Sequence, residues 1–438
     1  METSSNQRLL GSITISPEIL DMVQKEVKNI VDFKKKVEEN LEQKTSAVID
    51  LIFSGSITLG VSDIHFEPQE DQGRLRIRLD GVLQDVIFFD LKIYQGLISR
   101  IKLLSKLKLN VTDKPQDGRF SILLDELQIE IRTSSLPSEY GESIVMRILN
   151  PKNLKNLEDL GLRKDLFALF QKEIQKPNGM VIVTGPTGSG KTTTLYAFLK
   201  NIQNPEIKII TIEDPIEYHL TGVSQTQVDA EKGYTFSDGL RSIVRQDPDV
   251  ILVGEIRDLE TAKIALQAAL TGHLVLSTLH TNDAAGTIPR LVDLGAEPSS
   301  VAPALNLIIA QRLVRKVCSK CSTLVKPSAE EFEEITKGLA NLPKEVEIPK
   351  LDKTLKIPKV NPKGCDFCNF TGYRGRRGLY EAMVKDNELE RFILTNPPIS
   401  AVKDMAIKKG MVTMHQAGLI ETILGVTTLD EVKRIVGD

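Results

Sequence analysis

Hydrophobic and polar positions follow three patterns along the chain, and each pattern predicts a different kind of structure. Between Pro17 and Gln43, apolar residues recur every three or four positions with Lys and Glu between them, which predicts one amphipathic helix. The segment Ala47–Leu59 predicts a second helix. We therefore expect residues 1–60 to form a helical leader.

The segment from Asp63 to Asn150 is rich in predicted strands. Apolar and polar residues alternate on either side of Asp80-Gly81, a dipeptide typical of a hairpin turn. The polar positions before the turn are Arg74, Arg76 and Arg78, which we expect on one sheet face that is either solvated or part of a charged subunit interface. The remaining predicted elements are the helix Leu91–Leu109 and the strands Phe120–Leu124, Leu127–Thr133 and Ser143–Leu149. These elements predict an α+β domain over residues 61–150, followed by a linker over residues 151–160.

From residue 161 to about residue 310 the pattern changes to short, wholly apolar runs separated by segments of helix length. Such runs are typical of parallel strands buried on both faces of an α/β fold. The runs are Met180–Thr184, Ile209–Ile212, Val250–Val253 and Leu274–Ser277. Short helices, including Leu429–Val436, are predicted over residues 381–438.

The composition is that of an ordinary globular protein and excludes several classes. With 438 residues, 41% hydrophobic and 26% charged, the chain has room for about three domains and is neither disordered nor collagenous. Lys and Arg total 56 against 59 Asp and Glu, so a net charge of −3 provides no global field that would attract nucleic acid. No apolar run reaches the ~18–20 residues of a bilayer-spanning helix, and Met1–Leu10 lacks the order of a signal peptide. We expect a cytoplasmic protein in which any phosphate binding is local.

A glycine-rich segment after the first apolar run provides such a local phosphate site. It matches the pattern G-x-x-x-x-G-K-[ST] at every fixed position and lies between the predicted strand Met180–Thr184 and a helix-compatible segment. Backbone N–H groups of this loop would face the phosphates, Lys191 would contact the β and γ oxygens, and the Thr192 hydroxyl would ligate Mg²⁺. The predicted nucleotide-binding residues are Gly185, Pro186, Thr187, Gly188, Ser189, Gly190, Lys191, Thr192 and Thr193.

Three further apolar runs end in side chains that phosphoanhydride hydrolysis can use. Ile209–Ile212 is followed by Glu213, Val250–Val253 leads into Gly254-Glu255, and the run from Leu274 is followed by His280. In an open parallel sheet, ligands bind at the carboxyl ends of the strands. We therefore expect these side chains to lie beside the phosphate loop, although acids often end strands and a lone histidine is more often structural.

Four cysteines occur in two pairs, Cys318/Cys321 and Cys365/Cys368. In a reducing compartment, paired Cys-x-x-Cys segments favour metal ligation over disulfides. The pairs are 43 residues apart, farther than in a compact zinc ribbon, so reduced thiols without a metal are the alternative. With no cysteine to spare, we favour a structural zinc bound by all four.

Four sequence boxes together resemble the type II/type IV secretion ATPase family (GspE/PilB type). They are the phosphate loop, the aspartate box Thr211–Glu217, the Walker-B-like segment Gly254–Asp258 and the histidine box Ser277–Thr281. The segments Ser62–Pro68, Ala310–Arg315 and Thr371–Arg376 are also similar to the family. The resemblance implies a P-loop (RecA-like) ATPase core at 161–310, a smaller α+β, PAS-like domain before it, a tetracysteine zinc subdomain at 311–380 and C-terminal helices.

The resemblance also implies roles for individual residues. Glu213 and Glu255 would serve Mg²⁺ and the attacking water, with the identity of the general base left open, and His280 would sense the γ-phosphate. The family completes its site with arginines from outside the P-loop, and the matching positions here are Arg119, Arg132, Arg241 and Arg245. Such arginines would couple hydrolysis to domain position. On sequence alone, an ordinary surface or strand arginine is the better explanation for Arg132.

The implied function is a homohexameric ATPase that uses Mg-ATP to assemble pilins or pseudopilins through an inner-membrane platform. A retraction or DNA-uptake motor of the same superfamily is the nearest alternative, although the retraction branch generally lacks the paired cysteines. A nucleic-acid translocase would need a basic groove and stacking aromatics, which the acidic balance and the absence of Trp argue against. A non-hydrolysing, nucleotide-gated scaffold is a third alternative. Longer family members carry a separate N-terminal domain that contacts the platform, so how this chain docks is left open.

Overall fold

A computed structural model of the protein describes residues 11–124 and 127–437, so Met1–Leu10 at the start of the predicted leader lies outside the described residues. The chain forms two compact units. The first takes the described residues up to Asn153 together with Asn361–Arg374, and the second takes Leu154–Val360 and the chain from Gly375 onward.

The first unit is built on a seven-stranded sheet with the order β1-β5-β6-β7-β2-β3-β4. All neighbouring strands are antiparallel except β1 and β5, which are parallel. Its strands are β1 Ser12–Thr14, β2 Asp63–Pro68, β3 Gln72–Leu79, β4 Val82–Asp90, β5 Gln116–Leu124, β6 Leu127–Ser138 and β7 Gly141–Leu149; its helices are α1 Pro17–Glu26, α2 Ile30–Glu38, α3 Thr45–Leu59 and α4 Leu91–Leu104. The four helices contribute to one hydrophobic core with the apolar face of the sheet.

The predicted single helix over Pro17–Gln43 is wrong, because the structure breaks it into α1 and α2. Asn29 separates the two helices: its side-chain oxygen accepts hydrogen bonds from the N–H groups of Val31 and Asp32, at 2.8 and 2.9 Å, and so caps a new helix. Val23 and Val37 are both buried, so the apolar spacing runs across the break without interruption. The helix predicted to end at Leu109 ends at Leu104, because Lys106 adopts a left-handed backbone with φ of 60°.

The predicted hairpin around Asp80-Gly81 is confirmed, and its arginines pair within the sheet. Arg74 Nη2 lies 2.5 Å from Glu67 Oε2, Arg76 Nε lies 3.1 Å from Asp85 Oδ1, and Arg78 Nε lies 3.4 Å from Asp63 Oδ2. The three arginines are only partly exposed, at 25–35% of their side-chain surface. The face that carries them is therefore an ion-paired sheet face.

The second unit contains a seven-stranded sheet with the order β10-β9-β11-β12-β8-β13-β16, parallel from β10 to β13. The strands of this sheet are β8 Gly179–Thr184, β9 Ile209–Glu213, β10 Ser224–Gln227, β11 Val250–Val253, β12 Leu274–Leu279, β13 Leu305–Val317 and β16 Tyr373–Val384. Two further strands, β14 Thr323–Val325 and β15 Ile357–Lys359, form a separate antiparallel ribbon. Its helices are α5 Lys164–Ile174, α6 Lys191–Ile202, α7 Phe236–Val244, α8 Leu259–Leu270, α9 Thr287–Asp293, α10 Pro298–Ala304, α11 Ala329–Gly338, α12 Asn387–Ile393, α13 Ile399–Lys408, α14 Met414–Ile423 and α15 Leu429–Val436.

The four apolar runs of the sequence form the centre of this sheet, as predicted. Alternate residues of β8 enter two different cores: Met180 and Ile182 belong to one, and Val181 and Val183 to the other. Helices therefore cover both faces of the sheet, which is why the strands are continuously apolar rather than alternating. Among the described helices, none is both long and apolar enough to cross a bilayer.

Candidate active site

The phosphate loop lies between β8 and α6, where strand, glycine-rich turn and helix follow one another directly. Gly188 and Gly190 have φ of 80° and 90°, a left-handed backbone that a side chain would disfavour. Gly190 is also the residue before the first turn of α6, and within the described chain no side chain caps that turn. The free N–H groups of a helix N-terminus bind anions, so a phosphate group fits this end of α6.

Lys191 bends back over the loop. Its Nζ donates hydrogen bonds to the carbonyl oxygens of Gly185 at 2.8 Å and Pro186 at 3.2 Å. Burial lowers the pKa of Lys191, Glu255 partly offsets this effect, and Arg312 adds to the lowering. A bound phosphate would supply the negative charge that this half-buried ammonium lacks.

Ser189 gives a further indication that the loop is built for a polar ligand. Its hydroxyl is buried and has no hydrogen-bond partner among the described residues. An unpaired buried polar group is costly, and native structures retain such groups mainly where a ligand or water satisfies them. The residues present therefore fit a nucleotide phosphate.

Glu213 and Glu255 lie at the same edge of the sheet. Strands β9 and β11 are neighbours in register, and Gly254 N–H donates to the Ile212 carbonyl at 2.8 Å. Glu213 ends β9, and Glu255 follows Gly254 at the end of β11. The predicted acidic pair thus has the placement that carboxyl ends of parallel strands require.

The two carboxylates have different surroundings. Glu213 is 3% exposed and accepts hydrogen bonds from Tyr196, Thr211 and Gln225 at 2.5, 2.6 and 3.2 Å. Burial raises the pKa of Glu213, and the hydrogen bonds from Thr211, Tyr196 and Gln225 oppose that rise. Hydrogen bonds within the protein therefore already hold this acid in place.

Glu255 faces charged groups instead. One of its oxygens pairs with Arg257 Nη2, and the other lies 3.5 Å from His280 Nε2. Arg257 also approaches Asp214, with 3.9 Å between Nη1 and Oδ2. Because Glu255 also interacts electrostatically with Lys191, the structure brings Lys191, Glu255 and His280 into one charged cluster.

His280 follows β12 and is half-exposed, with 52% of its side-chain surface open. Burial lowers its pKa, the neighbouring Lys191 lowers it further, and Glu255 acts in the opposite direction. The lowered pKa favours the neutral imidazole, in which one ring nitrogen donates a hydrogen bond and the other accepts one.

The predicted arginines Arg241 and Arg245 lie at the end of α7 and are engaged at the surface. Arg241 pairs with Glu260 and lies 3.6 Å from Asp238, while Arg245 Nη2 donates to the Ser242 hydroxyl at 3.2 Å. Almost half of the Arg241 side chain is exposed. Both arginines are therefore placed where a further group could meet them.

Arg119 and Arg132 belong to the first unit and face each other across β5 and β6. The same row continues to Arg147 on β7, which is the register partner of Arg132. Arg119 has 72% of its side chain exposed and lies 3.9 Å from Glu130. The structure thus places these two predicted arginines side by side on the polar face of the sheet.

The four cysteines predicted to bind zinc form one cluster. Their Sγ atoms all lie within 4.8 Å of one another, and those of Cys365 and Cys368 are 3.8 Å apart. Backbone N–H groups of Cys365 and Gly372 donate to Cys368 Sγ at 3.1 and 3.2 Å, an arrangement that suits a thiolate. Four sulfur ligands at this separation fit the tetrahedral geometry that Zn²⁺ prefers.

Sequence reasoning missed three residues beside the site. Tyr196 and Arg257 contact the two glutamates, and Arg312 Nη2 donates to the Asn282 carbonyl at 3.0 Å, next to the histidine box. Arg257 and Arg312 stand inside segments already matched to the family, which was the available signal. Tyr196 follows the phosphate loop in an apolar pattern, so it reads as a core residue.

The chain is similar to known proteins over most of its length. A model of the family described as "Type II/IV secretion system protein" matches residues 38–434. The type IV pilus assembly ATPase PilB of Thermus thermophilus is 39% identical over 427 residues, which cover 97% of this chain and 46% of that protein. The type II secretion system protein E of Xanthomonas campestris pv. campestris is 41% identical over 392 residues, which cover 89% of this chain and 67% of that protein. The chain thus spans about half the length of the first relative and two thirds of the second.

Two solved structures are similar in fold. The ATPase DotB of Legionella pneumophila matches with a TM-score of 0.63 at 22% identity, covering 89% of this chain and 95% of that one. The pilus retraction motor PilT with bound ADP matches with a TM-score of 0.58 at 28% identity, covering 87% of this chain and 95% of that one. These likenesses confirm the predicted α/β core with its preceding α+β domain.

Proposed function

Because this chain belongs to the type II/IV secretion system protein family, we propose that it is a cytoplasmic ATPase that works as a homohexameric ring. The ring passes the work of ATP hydrolysis to an inner-membrane platform that assembles pilins or pseudopilins. The names of the relatives support this proposal, since they are a pilus assembly ATPase and a type II secretion protein.

The observation that carries the proposal is the cluster of Lys191, Glu255 and His280 beside the phosphate loop. It combines a cation for the phosphates, an acid for the attacking water and a group that can sense the γ-phosphate. A non-hydrolysing scaffold would need the phosphate loop but not the acid and the histidine.

Each residue of the site has a defined task in this proposal. The N–H groups of the loop and Lys191 bind the β- and γ-phosphates of ATP, and the Thr192 hydroxyl holds Mg²⁺, which neutralises phosphate charge when bound. Glu255 orients the water and accepts its proton, because hydrogen bonds within the protein already occupy the oxygens of Glu213. Glu213 is the second acid on the metal side of the site.

The arginines supply charge from outside the phosphate loop. Arg241 and Arg245 come from α7, and Arg119 and Arg132 come from the first unit. A guanidinium that stabilises the transition state must be brought to the phosphates, so hydrolysis becomes coupled to the relative position of the parts that carry it. In this way, turnover in the site is converted into movement.

The four-cysteine cluster holds a structural Zn²⁺ in this proposal. All four ligands come from the protein, so the metal has no open position for catalysis. The ion would tie the segment after β13 to the segment before β16 and would contribute to folding stability rather than to chemistry.

Assembly or secretion is favoured over retraction by the pattern of likeness. The assembly and secretion relatives are 39% and 41% identical to this chain, whereas the retraction motor PilT is 28% identical. The cysteine pairs favour the same branch, as the sequence resemblance implies.

Two experiments test the proposal at different levels. Purified protein is expected to hydrolyse Mg-ATP and to form hexamers by light scattering with nucleotide present. Deletion of the gene is expected to abolish pili, secretion or DNA uptake, and restoration should require an intact Lys191. A protein with no ATP turnover, or a deletion strain that keeps all three activities, would contradict the proposal.

A further inference from the structure

The hydroxyl of Tyr196 contacts one of the two acids of the site. Tyr196 Oη donates a hydrogen bond to Glu213 Oε2 at 2.5 Å, in a place where both residues are almost fully buried, at 1% and 3% exposure. A hydrogen bond to a charged oxygen in such surroundings is stronger than a neutral one. Thr211 and Gln225 bind the other oxygen, Oε1, so Tyr196 alone fixes Oε2 among the described side-chain donors.

The same hydroxyl also holds the chain that follows Glu213. It hydrogen-bonds with the backbone at Glu217 and Tyr218 in addition to Glu213. The Tyr196 ring packs edge-on against the ring of Tyr218, with centroids 6.2 Å apart. Gln225 Nε2 contacts both Glu213 and the Tyr218 carbonyl, which closes the network. Glu213 and Glu217 of the aspartate box, and Tyr218 just after it, thus all contact one tyrosine.

Tyr196 belongs to the helix that starts at the phosphate loop. Helix α6 begins at Lys191, so Tyr196 lies about 7.5 Å farther along the same helix axis at 1.5 Å per residue. A helix of this length is rigid on the scale of a catalytic site. Any displacement of the loop that holds the phosphates therefore reaches Glu213 through a single hydrogen bond.

We propose that Tyr196 is a positioning residue for ATP hydrolysis: its hydroxyl fixes the Glu213 carboxylate and the aspartate box relative to the phosphate loop. The inference rests on the proposed ATPase function and adds a residue to it. In this role Tyr196 acts on the reaction through Glu213, which its hydroxyl contacts.

The substitution Tyr196→Phe removes the hydroxyl and keeps the ring. We expect kcat to fall by about 10- to 100-fold, the usual cost of losing a partner that orients a metal-side ligand. The affinity for ADP, measured by fluorescence titration, is expected to stay within about twofold, because the phosphate loop itself is unchanged. The loss should therefore appear in kcat and not in nucleotide binding.

Tyr380→Phe is the matched control. Tyr380 is also buried, at 4% exposure, lies in the same hydrophobic core and hydrogen-bonds through its side chain to Thr194 on the same helix. It has no contact with Glu213 among the described hydrogen bonds. Tyr380 lies on β16 and reaches α6 only through Thr194. If a buried tyrosine hydroxyl at α6 mattered only for stability, the two variants would behave alike in both thermal denaturation and turnover.

A double-mutant cycle shows whether Tyr196 acts through Glu213. In a Glu213→Gln background, Tyr196→Phe should cause little further loss in single-turnover hydrolysis of labelled ATP, because residues that act as a unit are not additive. Thr211→Val removes the hydroxyl that donates to the other oxygen, Glu213 Oε1, at 2.6 Å. This variant tests the role of Glu213 positioning if the activity of Glu213→Gln is too low to measure. Thr211→Val is expected to lower kcat while leaving ADP affinity unchanged.

The outcomes separate this inference from the proposed function. The inference is supported if the wild-type protein hydrolyses ATP, Tyr196→Phe has a reduced kcat and the double-mutant cycle is non-additive. Three results would overturn the inference and leave the ATPase proposal intact. They are a wild-type kcat in Tyr196→Phe, equal effects of Tyr196→Phe and Tyr380→Phe, and additive losses of activity in the double-mutant cycle. A wild-type protein without turnover would overturn both.

Discussion

Glu255 Oε2 lies 3.5 Å from His280 Nε2, so the side chains that end β11 and β12 meet beside the phosphate loop. The two strands are in register, with Val253 opposite Ser277. The distance is longer than a typical hydrogen bond, so this contact holds the two side chains together only weakly.

Replacement of Lys191 by Ala should remove nucleotide binding. In the proposed function its ammonium binds the β- and γ-phosphates, so we expect ATP affinity to fall by about 100-fold or more. Titration with a fluorescent ATP analogue measures the effect. Lys200→Ala is the control, since Lys200 lies on the exposed side of the same helix. Retained affinity in the Lys191 variant would show that the loop is not the nucleotide site.

Replacement of Glu255 by Gln should separate binding from turnover. The amide keeps the shape but cannot accept a proton from water, so kcat is expected to fall by about 10²- to 10⁴-fold with nucleotide affinity kept. Phosphate release under saturating Mg-ATP measures kcat, and Glu206→Gln on the exposed surface is the control. A Glu255→Gln protein with normal kcat would remove Glu255 from its proposed role.

Purified protein should contain one zinc per chain when no chelator is used. Cys368→Ser removes a buried ligand and is expected to lose the metal and lower the melting temperature, because metal binding and folding are coupled in such sites. Metal analysis and thermal denaturation measure both effects. Ser319→Ala, an exposed position between the first two cysteines, is the control. A stable, fully folded protein without metal would contradict the zinc site.

Glu431 should make stability depend on pH under acidic conditions. Burial alone would raise its pKa, but hydrogen bonds from Arg434 and Arg315 outweigh that effect and lower the pKa to about 2. Because the folded pKa is below the usual 4.5, the stabilisation is fully present above pH 5 and is lost as the pH falls toward 2.

The variant Glu431→Gln removes the carboxylate charge that pairs with Arg315 and Arg434, from a side chain that is 1% exposed. We expect the free energy of unfolding to fall by about 3 kcal/mol at pH 7, the usual cost of breaking a buried pair. The free energies of unfolding of wild type and variant, measured by urea denaturation, should converge as the pH approaches 2. Asp430→Asn, at the exposed neighbouring position, is the control. If wild type and variant differed in free energy of unfolding by the same amount at pH 7 and pH 3, Glu431 would not be the source of the pH dependence.

The sequence predicts the phosphate loop and its strands because their chemistry depends on local order. Strand, glycine and lysine positions are consecutive, and buried parallel strands are recognisable as apolar runs. The split between α1 and α2 was not predictable in the same way, because Val23 and Val37 keep one apolar spacing across the break. The capping side chain of Asn29 decides the break, and asparagine is also common inside polar helix faces.

The contacts of the acids lie beyond sequence reasoning for a different reason. Tyr196 and Glu213 are 17 residues apart, and only the packing of α6 on the sheet brings them together. The pairing of the hairpin arginines with Glu67, Asp85 and Asp63 likewise depends on strand order and register. Patterns of spacing indicate which face a residue occupies but not which partner it meets.

The arginine row across β5, β6 and β7 limits how these strands can change in length. Arg119, Arg132 and Arg147 are register partners on one face, while Ile131 and Ile148, also register partners, are buried on the other. Successive residues of a strand point to opposite faces, so loss of one residue from β6 would turn every side chain beyond it to the other face. Insertions and deletions within these strands should therefore be tolerated in pairs, and single ones should be absorbed only in the turns.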